Sequence, residues 1–344
     1  MSTTIDRSDE PAAERDAGAR DPAPATTRTP VAPSADPPPA GAASRFDRTE
    51  GVARHGEVEL HWESRNDSAD ETILLVMGLG AQMIAWREGF CDLLAEQGFR
   101  VVRFDNRDVG LSTMWDGDEP TRGDLVSLVA GRPRRRPDYL LADMADDAVA
   151  VLDAVGVERA HVVGASMGGM IAQQLAIDHP QCCRSLTSIM SRPGDRHSGL
   201  PTLRVLRAVL RPIPADPDAA IEAELTRTGT ICGPLFDPVE QREFLTRAAA
   251  RSARRDGLGR QLMAILGSPD RTPGLRRLTT PTLVIHGRRD GLVRLSGGLA
   301  TAAAVEGSTL VVHDRMGHDL PRSLWGSVTD SIADHARRAS AAHG

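Results

Sequence analysis

Ser166 lies in Gly164-Ala165-Ser166-Met167-Gly168, with a glycine two residues away on either side. The apolar run AHVV precedes this segment and MGGMIAQQLA follows it, so a strand should turn sharply into a helix at the serine. At such a turn the hydroxyl is exposed at the strand's carboxyl end on a strained backbone, and bulky flanking side chains would clash. The helix beyond aims free N–H groups at the same spot, which favours negative charge there. A serine merely capping a helix in a tight turn is the plainer reading. The chemical one is nucleophilic attack on a carbonyl.

A serine hydroxyl is a weak nucleophile at neutral pH and needs a base that is itself held by a third group. His318, in RMGHDLP, follows the strand-like STLVVHD, and Asp290, in HGRRDGLV, follows PTLVIHG. Both stand just past a strand's carboxyl end, in the order serine, acid, histidine that one class of triad uses. His313 sits at a strand end and His286 inside a strand, where packing suits them better than proton transfer. Asp195 could supply the acid from the preceding strand and stays open as the alternative to Asp290. Asp319 adjoins His318 but should point elsewhere, and Asp105, in FDNRDVGLS, reads as a turn carboxylate. An oxyanion needs two backbone donors. One is the N–H of Met167. The other should come from Gly78-Leu79-Gly80-Ala81, with Leu79 preferred because glycines on both sides let its backbone approach a substrate; a simple glycine turn is the competing reading.

The elements that must position these groups follow an α/β rhythm. Val58, Leu60 and Trp62 alternate with Glu57, Glu59, His61 and Glu63, as in a half-buried strand. ILLVMG is a short continuous apolar run, the pattern of a strand covered on both faces. A helix carrying Ile84, Phe90, Leu93 and Leu94, the strand RVVRFDNR, the helix LADMADDAVAVLDAVGV, the strand AHVVGAS and the strand SLTSIM continue the alternation. Such alternation predicts a parallel sheet clothed by helices. Between Met190 and Pro281 no buried strand is legible, only helical stretches divided by Pro and Gly, which predicts a helical cap over residues 191–280. The sheet should resume in PTLVIHG and STLVVHD, with a helix near Gly297–Val305 and a last one from Arg322 to about Arg338. The expected division is a tail over 1–44, core over 45–190 and 281–344, and the cap between. The tail is rich in Ala, Pro and Asp and almost empty of large apolar groups, so it should be disordered.

The net charge is −6 and the basic residues form no broad stripe, which argues against nucleic acid as a partner. The basic run Gly131–Pro137, GRPRRRP, reads as a solvated loop, or more sharply as a contact for an anionic substrate or lipid headgroups. No apolar run approaches the roughly 18 residues of a membrane span, so no stable membrane insertion is expected. Cys91, Cys182, Cys183 and Cys232 form neither a disulfide framework nor a zinc pattern, and Cys182-Cys183 reads as two small residues at a helix end. The N-terminus carries acids and no apolar core of a signal peptide, so a reducing cytoplasm is the default setting. Oligomeric state is not legible.

LLVMGLG, RFDNRDVGLST, HVVGASMGGMIAQ, PTLVIHG with Asp290, and MGHDLP together resemble the α/β-hydrolase superfamily, from about Gly51 to the end. More narrowly the chain is similar to bacterial carboxylesterases and lipases near the aclacinomycin methylesterases, which share Met-Gly at the place of Met77-Gly78. The resemblance implies an eight-stranded sheet, a helical cap, a small-molecule ester as substrate and no cofactor or metal. A cofactor-free haloperoxidase or perhydrolase with the same triad stays open, as does a non-catalytic binding protein on this fold. The segment from Thr121 to Asp138 looks longer than such proteins usually have.

Overall fold

Strands long enough to be covered on both faces dominate the centre of the molecule. The computed structural model describes Ser44, residues 46–254 and residues 257–342. Eight strands form one sheet: β1 (Arg48–His55), β2 (Val58–Arg65), β3 (Glu71–Val76), β4 (Phe99–Phe104), β5 (Ala160–Ala165), β6 (Cys183–Ile189), β7 (Thr282–Gly287) and β8 (Thr309–His313). Their order is β1-β2-β4-β3-β5-β6-β7-β8, and only the pairings of β2 with β1 and β4 are antiparallel. This is the α/β architecture the alternation predicts, with the strand number the resemblance implies.

The helices are α1 (Glu88–Glu96), α2 (Arg122–Val129), α3 (Leu141–Ala154), α4 (Met167–Asp178), α5 (Leu203–Val209), α6 (Pro217–Ile231), α7 (Pro238–Arg251), α8 (Leu258–Gly267), α9 (Thr272–Leu275), α10 (Ser296–Ala304) and α11 (Trp325–Ala341). Period-two alternation divides the core between the sheet's faces. Leu74, Val76, Val102 and Val162 pack with α3 and α4 on one side. Ile73, Leu75, Val101, Val163 and Ile285 pack with α1 and α11 on the other. The stretch between β6 and β7 is helical throughout its regular structure, α5 to α9, with no strand among its described residues. No helix of the described residues is long and apolar enough to cross a membrane.

Several expectations need correction. Glu63 is not on a wet face: it is buried against Arg65 (3.0 Å) and Arg103 (2.6 Å), because α1 covers that side of β2. Charges can be buried there because each finds an opposite partner. β1 has no alternation to read, since only Ala53 of its residues is buried. The Thr121–Asp138 segment is not all loop: α2 lies within it, started by Thr121 and Asp124 in a reciprocal cap, and GRPRRRP follows that helix. Cys182-Cys183 does not end a helix; Cys183 opens β6, where it is buried. The expected tail lies outside the described residues except Ser44, whose Oγ donates to Asp92 at 2.8 Å.

Candidate active site

Ser166 stands between β5 and α4 at φ 57°, ψ −119°, a conformation that strains any L side chain. Its N–H donates to the Ile189 carbonyl at 2.9 Å, which ties the turn to β6. A methyl group at Gly164 would come within 2.1 Å of the Gly168 carbonyl oxygen, and one at Gly168 within 2.1 Å of that of Val76. Both glycines are therefore required for strand and helix to close on the serine.

The structure brings Ser166, His318 and Asp290 together. His318 Nε2 is 2.9 Å from Ser166 Oγ, and His318 Nδ1 is 2.7 Å from Asp290 Oδ2. A carboxylate can only accept, so Nδ1 carries the proton and Nε2 is free to accept from the serine hydroxyl. Asp290 is itself oriented: its Oδ1 accepts from the N–H groups of Leu292 (2.9 Å) and Val293 (2.8 Å). His286 Nε2 donates to the Val293 carbonyl at 2.8 Å, bracing the same loop, and burial lowers its pKa. It is a packed structural histidine, as its place in the strand suggests.

The rival carboxylates are engaged elsewhere. Asp195 accepts from the N–H groups of His197 (2.7 Å) and Ser198 (2.8 Å) and from the Ser198 hydroxyl, which staples its own turn. Asp105 accepts from Met83 N–H (2.7 Å), Leu111 N–H (2.9 Å) and Arg251 Nη1 (2.7 Å), a turn carboxylate that also holds α7. His313 ends β8 with a buried Nε2 that has no partner among the described residues. Asp319 accepts from Gly317 N–H (2.9 Å) and Gly233 N–H (3.3 Å), and burial raises its pKa.

Met167 is the first residue of α4, where backbone N–H groups have no acceptor within the helix. Gly78 lies against the nucleophile; a methyl group there would be 3.1 Å from Ser166 Cβ. Leu79 follows, half-buried. The next N–H, of Gly80, donates to Gln261 Oε1 at 2.8 Å, and Gln261 Nε2 donates to the Arg107 carbonyl at 2.7 Å. One side chain of α8 thus fixes the loops after β3 and β4. Its neighbour Arg260 grips buried Asp108 with two bonds, at 2.9 and 3.0 Å. Sequence reasoning missed both. Their only signal is two long polar residues side by side in a helix whose buried side also holds Met263 and Ala264.

The segment before β7 also reaches the histidine. His318 N–H donates to the Ile231 carbonyl at the end of α6 (3.1 Å), and the Cys232 thiol hydrogen-bonds the Asp319 carboxyl, its pKa pushed up by burial. Among the described residues no three His, Cys, Asp or Glu side chains gather as metal ligands would.

Residues 71–321 match the family described as alpha/beta hydrolase fold. Rhodomycin D methylesterase DauP of Streptomyces sp. (strain C5) is 29% identical over 306 residues, covering 83% of this chain and 97% of that protein. Rhodomycin D methylesterase DnrP of Streptomyces peucetius matches over the same shares at the same identity. Among solved structures, 2-hydroxy-6-oxo-6-phenylhexa-2,4-dienoate hydrolase from Rhodococcus sp. strain RHA1 superposes with TM-score 0.66 at 22% identity, over 85% of this chain and 99% of that one. The first two likenesses extend over nearly the whole of the relatives, and the third is a likeness of fold.

Proposed function

The chain belongs to the α/β-hydrolase fold family, and from that membership we propose that it is a carboxylic ester hydrolase working through an acyl-enzyme on Ser166. The observation that carries the reading is the hydrogen-bonded line Asp290–His318–Ser166, at 2.7 and 2.9 Å. Ser166 Oγ attacks the ester carbonyl as its proton passes to His318 Nε2. The N–H groups of Leu79 and Met167 receive the negative oxygen. Collapse of the tetrahedral intermediate expels the alcohol, which takes the proton back from His318. A water then attacks the acyl-enzyme with His318 again as base, releasing the acid and restoring the serine. Throughout, Asp290 holds the imidazole in the needed tautomer and offsets the charge that forms on it.

The relatives' names point to a methyl ester as the bond cleaved. Residues 191–280 act as a cap that shapes the pocket, on a core formed by 45–190 and 281–344. Four unpaired cysteines suit a reducing, cytoplasmic setting. The test is labelling with a fluorophosphonate, followed by mass spectrometry of the labelled peptide. The expected result is one adduct on Ser166 together with loss of ester hydrolysis. An adduct on another serine, or an active labelled enzyme, would remove Ser166 from the mechanism.

A further inference from the structure

The proposed chemistry leaves one surface unexplained. Val126 and Val129 of α2 are 68% and 71% exposed, and Leu203 and Leu206 of α5 and Leu210, which caps it, are 71%, 38% and 55% exposed. On α2, Arg122, Val126 and Val129 share one stripe at spacings of four and three, and along α5 to its cap the three leucines do the same at three and four. The stripes meet where Arg122 Nη2 donates to the Leu210 carbonyl at 3.3 Å. Around them the charge is one-sided. Residues 121–138 and 200–214 hold eight arginines and two acids, Asp124 and Asp138, in a chain whose net charge is −6; Asp138 pairs with Arg135 at 2.7 Å.

We infer that this face, made of α2, the basic turn after it and α5, docks on an anionic lipid surface. Exposed aliphatic side chains ringed by arginines match the two parts of such a surface, acyl chains and phosphate headgroups. Nucleic acid would answer the arginines and leave five aliphatic side chains in water. The acidic stretch over residues 1–43 has the same defect as an occupant, since its large apolar residues are only Met1, Ile5 and Val31. The inner side of α5 rests on the loop of Asp290: Thr202 N–H donates to the Gly291 carbonyl at 2.9 Å, and Val205 is buried against that glycine. Docking would therefore bring the lipid boundary beside Asp290's loop, where an ester dissolved in the bilayer would meet the protein.

The test is sedimentation of the full chain with vesicles of equal phosphatidylglycerol and phosphatidylcholine, against phosphatidylcholine alone. Partition should be at least about tenfold stronger on the anionic vesicles, because each arginine near such a leaflet strengthens binding roughly fivefold. Arg132→Glu/Arg134→Glu/Arg136→Glu should weaken it by more than about a hundredfold by the same reckoning. Leu203→Ser/Leu206→Ser/Leu210→Ser should weaken it at least about tenfold through lost apolar contact. Melting curves check that both variants fold. Equal partition on the two vesicles would overturn the proposal, as would a leucine variant that binds like the wild type. Equal affinity for a short DNA duplex would also overturn it, since charge alone would then account for binding.

Discussion

Two helical regions of this chain are built to opposite standards. α4, which carries the serine turn, buries nine of its twelve residues between the sheet and α3. α6 and α7, with fifteen and fourteen residues, bury Ala220 and Phe244 alone. Apolar burial stabilises at about 25 cal/mol per Å², so the first region is held firmly and the second lightly. The lesson is a division of labour. Ser166 sits on a helix packed into the sheet, while α6 and α7 bury few side chains of their own and are tied to the core mainly at their ends, through Ile231 and Arg251.

The comparison breaks first at the serine. Ser166→Ala should lower kcat by about 10⁶, because His318 then has no hydroxyl to activate; steady-state assay on a soluble ester measures it, and more than a few per cent residual activity would contradict the role of Ser166. Asp290→Asn should lower kcat by roughly 10⁴ by favouring the wrong imidazole tautomer. Asp195→Asn, whose carboxylate staples its own turn, should cost less than about tenfold. A larger loss at Asp195 would move the acid to the preceding strand.

A third experiment sharpens the boundary between the regions. Arg260 lies in the segment between β6 and β7 but is buried on Asp108. Arg260→Met should destabilise by about 3 kcal/mol, the scale for stranding one partner of a buried pair, read from urea unfolding. If the midpoint stays put, α8 belongs energetically with the light helices.

Acid should act through the packed region. Burial lowers the pKa of His335 from 6.5 to about 4 and also lowers that of His161. The unfolded histidines bind protons near pH 6.5, while the native ones resist until lower pH. This part of the stability is therefore whole above about 6.5 and drains away as pH falls toward 4. The urea midpoint should drop between about pH 7.5 and pH 5, and His335→Gln should flatten the drop. The smallest effect belongs to the exposed pair Glu222–Arg242 joining α6 to α7: Glu222→Gln should leave the midpoint where it was.

What could be read in advance follows the same division. Strands such as AHVVGA and TLVIHG carry a short, nearly continuous apolar signal, so the groups just past their ends, Ser166 and Asp290, were legible with them. Turn glycines beside the serine carried their own signal, because no other residue fits the closure. α2 was not legible: its exposed valines give it no inward stripe, and its identity rests on the Thr121–Asp124 cap. Gln261, Arg260 and the carbonyl of Ile231 were hidden for another reason. They act through contacts between residues far apart in the chain, and no local spacing records such a partnership.

The seam at Ile231–Gly233 sets a rule for exchanging parts between homologues. A methyl group at Gly233 would come within 2.5 Å of the Gly317 nitrogen, and the carbonyl two residues earlier takes the His318 N–H. The loop of His318 is therefore completed by backbone that arrives at the end of α6. A chimera that grafts a foreign set of helices between β6 and β7 must keep its crossover points clear of this tripeptide, or it loosens the backbone that holds His318.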